Sequence, residues 1–185
     1  MNPIVMIDVE SGGLDPATTS ILSLGACLFP PTPNGPVFEV LLEEAPMILT
    51  GGALRVNKIN PCAREPVHYH HDAWKAFTEW NARTVGLRGV VLGGHNTPFD
   101  IGYVKRLARL AGGSFESAFS HRYVDTMVVA RFMALADLID QNHACSLSSL
   151  CRTFKVVNTA EHTALGDAIA ARDLLVMMLG AVGHP

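Results

Sequence analysis

Basic charge is scarce in this 185-residue chain: fourteen Lys and Arg stand against seventeen Asp and Glu, for a net charge of −3. A protein that held a duplex by charge alone would be basic, so strong non-specific binding to nucleic acid is not expected, and what contact a polyanion makes is weak, transient and helped by metal ions. Charged residues make up only 17% of the chain and aromatic residues 7%, whereas 49% is hydrophobic, which excludes intrinsic disorder. Cysteine is sparse too. Cys27, Cys62, Cys145 and Cys151 form no close-spaced pair and no disulfide framework, and read as reduced thiols of a cytoplasmic protein. The longest strongly apolar uncharged run, residues 174–182, is about half the length that spans a bilayer. Met1-Asn2-Pro3 carries no basic region, and Asp8 and Glu10 interrupt the apolar residues that follow, so neither a signal peptide nor a membrane partner is expected. Sixteen Gly and eleven Pro are scattered without period, which excludes a collagen-like chain. What the chain does have is core. A protein of this size buries roughly 70% of its unfolded surface, so one domain over residues 1–185 is expected.

The first third reads as strands. Residues 3–10 alternate, with Val5, Ile7 and Val9 on one face and Ile4, Met6, Asp8 and Glu10 on the other. Residues 20–29 form a second apolar run, a Pro-rich turn at 30–36 breaks the chain, and 37–43 alternates again, which predicts an antiparallel meander. Residues 44–72 lack a period and read as an irregular surface segment; a helix is expected from Asp72 as N-cap, burying Trp74, Phe77 and Trp80. A fourth strand is expected over 89–95, followed by a helix capped by Thr97 with Pro98 at its first position and Gly112-Gly113 at its end. A brief fifth strand at 123–126 and helices over 126–139, 146–154 and 164–182 complete the pattern. Strands first, then strands alternating with helices, predict an α/β fold: a mixed five-stranded sheet with helices on both faces.

Three segments carry chemistry. Asp8-Val9-Glu10 puts two carboxylates on one face at the end of a strand, where they repel each other and lose hydration. A wet strand end would explain them alone. Asp100, at the third helical position after Thr97, meets the helix dipole favourably, but His95-Asn96 and Phe99 surround it at a strand-to-helix junction where open sheets bind ligands. Asp167 falls on the helical stripe of Ala170, Ala171, Leu174 and Met178, which should face the sheet, with His162 just before the helix and free to swing. Four carboxylates converging in an apolar setting are tolerable only with cations among them. Hard oxygen donors without nearby Cys point to magnesium or manganese, and a pair of such ions suits in-line attack on a phosphodiester.

These segments resemble the three motifs of the DEDD exonuclease superfamily, in its DEDDh branch, with an RNase H-like fold. Asp8-x-Glu10 with Gly13 to Pro16 is similar to the first motif. His95-Asn96-x-x-Phe99-Asp100-Ile101-Gly102 is similar to the second, close to the version of bacterial polymerase III proofreading subunits. His162-x-Ala164-Leu165-x-Asp167-Ala168 is similar to the third. The resemblance implies two Mg²⁺ or Mn²⁺ ions, Asp8 bridging them, Glu10 and Asp167 completing one shell and Asp100 the other. It implies His162 as the general base and release of nucleoside 5′-monophosphates from single-stranded 3′ ends. Less directly it implies substrate contacts from Leu14, which would wedge against the terminal base, from Ser11, where the family often has Thr, and from Asn57, His95 and Phe99. Neutralising four carboxylates would take the net charge from −3 to +1, which answers the shortage of basic residues. A DNA polymerase and a second copy of the chain are the protein partners that the resemblance admits.

The same motifs serve DNA and RNA; the Phe-Asp-Ile-Gly stretch favours DNA over a ribonuclease T or oligoribonuclease-like activity. A non-catalytic nucleic-acid-binding or polymerase-associated module would be expected to lack a ligand or the base, and all five groups are present. Cys62, His68, His70 and His71 match no common zinc spacing. Asp125 reads as structural. Lys105, Arg106 and Arg109 form a basic patch, a solvated face or a track for a nucleic-acid backbone.

Overall fold

The computed structural model describes residues 3–57, 68–86, 88–140 and 145–183, with the side chains of Leu54, Val56 and Asn57 outside that description. Its centre is β1 (Ile4–Ser11), where every residue from 4 to 11 is buried except half-buried Asp8. Next come β2 (Ile21–Phe29) and β3 (Val37–Leu41), then α1 (Gly51–Asn57), α2 (His70–Thr84) and β4 (Val90–Gly94). After these follow α3 (Thr97–Leu110), a short 3-10 turn at Phe115–Ser117, β5 (Phe119–Asp125), α4 (Thr126–Leu135), α5 (Leu147–Phe154) and α6 (Ala164–Gly183). The sheet order is β3-β2-β1-β4-β5, antiparallel from β3 to β1 and parallel from β1 to β5. That is the expected meander with two parallel strands added.

The alternation of β1 divides the molecule. Val5, Ile7 and Val9 join one core with Trp74, Phe77 and Trp80 of α2 and with Tyr103, Val104 and Leu107 of α3. Ile4 and Met6 join the opposite core with Ala168, Ala171 and Leu175 of α6. Period 2 therefore turns Asp8 and Glu10 towards α6. Gly25 pairs with Asp8 across the β1–β2 ladder. A Cβ at Gly25 would lie 2.2 Å from the Leu165 nitrogen and 2.3 Å from the Ala164 carbonyl carbon. Only glycine lets the start of α6 approach the sheet this closely, beside Asp8.

Several local expectations are corrected. Residues 44–72 are not irregular throughout, because α1 lies within them and Leu42 bridges His68. Helix α2 starts at His70 after Tyr69, so Asp72 lies inside its first turn and is not its cap. Strand β5 begins at Phe119, four residues earlier than its polar sequence suggested, because pairing with β4 supplies what alternation lacked. Thr97 is the first residue of α3, not its cap: Asn96 holds the cap position at φ 62 with no side-chain cap bond, and the Thr97 hydroxyl donates to the Val124 carbonyl at 2.7 Å. Asp125 does the capping from the neighbouring strand. Its carboxylate accepts the N–H groups of Asn96 (3.0 Å), Thr97 (3.2 Å) and Met127 (2.9 Å), securing the starts of α3 and α4 together. Among the described residues no helix is long and apolar enough to cross a membrane.

Candidate active site

At the C-terminal end of β1 a cleft of about 490 Å³ opens between α1, α3 and the start of α6. Its walls include Asp8, Glu10, Ser11, Leu14, Phe99, His162 and Asp167, together with Thr50, Gly52 and Ala53 from the start of α1 and the residue before it. Carboxylate oxygens of Asp8, Glu10 and Asp167 all lie within 4.8 Å of one another, and among the described residues no other group of His, Cys, Asp or Glu could share an ion in this way. Sheet periodicity supplies the first two, and the close approach of α6 over Gly25 supplies the third.

Asp100 stands behind this triplet. Only 2% exposed, it sends Oδ1 to accept the Val9 N–H at 3.0 Å, so the first turn of α3 is bonded to β1 between the two strand carboxylates. Burial, then the charge of Asp100, then those of Asp167 and Glu10, hold the Asp8 carboxyl well above its ordinary range. Burial and Asp167 push Glu10 up to about 7. Burial raises Asp100 against the Val9 bond, and raises Asp167 against the Asn158 amide, the His162 backbone and the His162 ring. No Lys or Arg among the described residues forms a salt bridge with any of the four. Crowded carboxylates with no Lys or Arg paired to them and no thiol among them are the oxygen donor set of a hard divalent cation, so the residues fit such an ion.

His162 lines the cleft beside Asp167. It sits at φ 66 in a turn closed by the Thr163 hydroxyl, which donates to the Ala160 carbonyl at 2.8 Å and accepts the Gly166 N–H at 3.1 Å. Thr163 thus caps α6. Sequence reasoning missed Asn158, whose amide donates to Asp167 Oδ1 at 2.6 Å while its own oxygen accepts the Ala160 N–H at 3.1 Å. No spacing rule points to it; the contact exists only because the 158–163 turn folds back on α6.

Among the other sequence candidates, Leu14 is 88% exposed on the cleft rim, and the Phe99 ring lines the wall. Ser11 is buried, its hydroxyl donating to the Gly13 carbonyl at 2.7 Å. His95 is not among the lining residues: its Nδ1 shares a hydrogen bond of 2.9 Å with Thr126 Oγ1, and burial lowers its pKa against the Cys145 backbone, Asp125 and Asp167. The Asn57 side chain and Cys62 lie outside the described residues. His70 Nε2 is 3.2 Å from Glu44 Oε1, and His71 lies beside Asp72, so neither joins a metal cluster among the described residues. Arg106 of the basic patch is consumed by an ion pair with buried Glu44 at 2.9 Å.

The family model described as Exonuclease (RNase T) matches residues 5–175. No curated protein matches the sequence. Among solved structures, one of exonuclease I superposes with a TM-score of 0.78 at 14% identity, covering 97% of this chain and 41% of its own. Escherichia coli exonuclease I in complex with a dT13 oligonucleotide gives 0.75 at 15% identity, with 97% and 41% covered. The zinc-bound form of the E. coli exonuclease I complex with single-stranded DNA gives 0.77 at 15% identity, with 100% and 42% covered. The chain thus spans about two fifths of the length of the solved proteins it resembles.

Proposed function

This chain belongs to the exonuclease family, and from that membership and its carboxylate cleft we propose that it removes nucleotides stepwise from the 3′ end of single-stranded nucleic acid, DNA in preference to RNA. The observation that carries the proposal is the triplet of carboxylates within 4.8 Å in the same cleft as His162. Asp8, Glu10 and Asp167 would hold one magnesium or manganese ion, and Asp8 with Asp100 a second. Bound there, the cations would supply charge neutralisation at the phosphodiester and acidify the attacking water. His162 accepts the proton of that water as its oxygen bonds to phosphorus. The P–O3′ bond breaks, the departing 3′-oxygen gains a proton, and a nucleoside 5′-monophosphate leaves. A histidine suits the task because its ordinary pKa lies near the working pH. Leu14 and Phe99 offer apolar faces to the terminal bases, a sequence-tolerant mode of single-strand binding. Ser11 and Asn57 complete the proposed surroundings of the 3′ nucleotide, while His95, bonded to Thr126 Oγ1 and absent from the cleft lining, stays apart from it. The oligodeoxynucleotides bound by the E. coli exonuclease I structures support DNA as substrate.

The test is 5′-labelled single-stranded DNA and RNA of one sequence, incubated with magnesium, manganese or EDTA. Stepwise shortening that requires the cation and fades in His162→Ala and Asp167→Ala is the expected result. Cutting in EDTA, or full activity of His162→Ala, would overturn the mechanism.

A further inference from the structure

An apolar side chain left 88% exposed on the rim of a charged cleft gains nothing for folding, yet the loop that presents Leu14 is tied down on both sides. Within the loop the Asp15 carbonyl accepts the N–H of Thr19 at 2.9 Å and its hydroxyl at 2.7 Å, and the Asp15 carboxylate accepts the Ala17 N–H at 2.9 Å and the Thr18 hydroxyl at 2.9 Å. From outside, two α3 side chains reach in. The fully buried Tyr103 hydroxyl has one proton and two acceptors of the loop within its reach, the Gly13 carbonyl at 2.9 Å and Thr19 Oγ1 at 2.5 Å. Arg106 Nη1 donates to the carbonyls of Pro16 (3.2 Å) and Ala17 (3.0 Å). Arg106 is itself fixed by two bonds to Glu44, which also accepts the Ser20 hydroxyl at 2.8 Å. Spacings of four and seven residues from Phe99 put Tyr103 and Arg106 on its face of the helix, and the Phe99 and Tyr103 rings meet edge to face at 5.2 Å.

We infer that Tyr103 and Arg106 are positioning residues that hold Leu14 rigidly against the bases at the 3′ end of a bound strand. Helix α3 then acts as one ruler for the Asp100 carboxylate, the Phe99 ring and the Leu14 wedge. This rests on the exonuclease reading above. Ordering the loop before the strand arrives removes that cost from binding, so the brace serves oligonucleotide affinity and leaves the chemistry alone.

Two variants test it: Tyr103→Phe, which keeps the ring and loses only the hydroxyl, and Arg106→Lys, which keeps the charge beside Glu44 and loses the reach to two carbonyls. Each is assayed on an oligonucleotide and on thymidine 5′-p-nitrophenyl phosphate, a minimal ester with no second base to wedge. Tyr103→Phe is expected to raise KM for the oligonucleotide about three- to tenfold, the worth of one hydrogen bond, with kcat on the ester within about twofold of the parent. In a Leu14→Ala background both substitutions lose their effect on KM, because the wedge they position is gone. Effects that persist undiminished in that background, or an ester rate that falls in step with the oligonucleotide rate, would overturn the inference. A parent protein inert on both substrates with either cation would instead overturn the exonuclease reading.

Discussion

Replacing Glu10 with Gln is expected to stabilise the cation-free protein above neutral pH, although the residue is a proposed ligand. Burial and Asp167 raise the Glu10 carboxyl from 4.5 to about 7. A carboxyl raised on folding binds more protons in the folded than in the unfolded state, so its contribution is favourable below pH 4.5 and is lost as the pH climbs through 7. At about 1.4 kcal/mol per pKa unit, that shift corresponds to about 3 kcal/mol, and water in the open cleft screens it to about 2 kcal/mol. For a chain of this length the difference between Gln variant and parent at pH 8 amounts to about 4–8 °C in Tm, and it vanishes near pH 4.5. Relief of Asp8, which Glu10 also presses upward, adds in the same direction. His95, whose pKa is lowered, titrates with the opposite sign but is present in both proteins. Melting curves in EDTA at pH 4.5–8 measure the difference directly. Magnesium at a hundred times its Kd adds about 2.7 kcal/mol to the parent and less to the variant, which lacks one ligand. Curves for parent and variant that stay superimposed from pH 5 to pH 8 in EDTA would refute the claim that unneutralised carboxylates strain this cleft.

Three further outcomes follow from the same geometry. Asn158→Ala frees the Asp167 carboxylate from its 2.6 Å bond, so manganese affinity, read by calorimetry, is expected to fall about tenfold; unchanged affinity would remove Asn158 from the site. Asp125→Ala strands three backbone N–H groups at two helix starts, at a cost of about 2–4 kcal/mol in urea unfolding. Gly25→Ala places a methyl 2.2 Å from the Leu165 nitrogen and forces α6 away from β2; destabilisation of about 1–3 kcal/mol is expected, together with loss of cation-induced stabilisation, because Asp167 moves off the triplet.

Much of this molecule was legible before folding because its signals are local. The alternation of residues 4–10 announces a strand with both acids on one side, and β1 occupies those residues. Trp74, Phe77 and Trp80 announce the core face of α2. The acids themselves stood out because a charge on an apolar stripe is costly and therefore informative. What stayed hidden depends on partners that no local pattern specifies. Polar β5 is a strand because β4 lies beside it. Asp125 caps two helices because the ends of β4 and β5 coincide in space. Asn158 meets Asp167 only once the 158–163 turn folds back on α6, and Arg106 leaves the basic patch for Glu44 only once α3 packs beside the segment after β3. Sequence alone thus determined which residues could not be ordinary core, since side-chain polarity and periodicity travel with the chain. The tertiary structure alone decided which of them share one cleft and which, like His95, are turned aside, because hydrogen bonds and Coulomb forces act over a few ångströms and take no account of separation along the sequence.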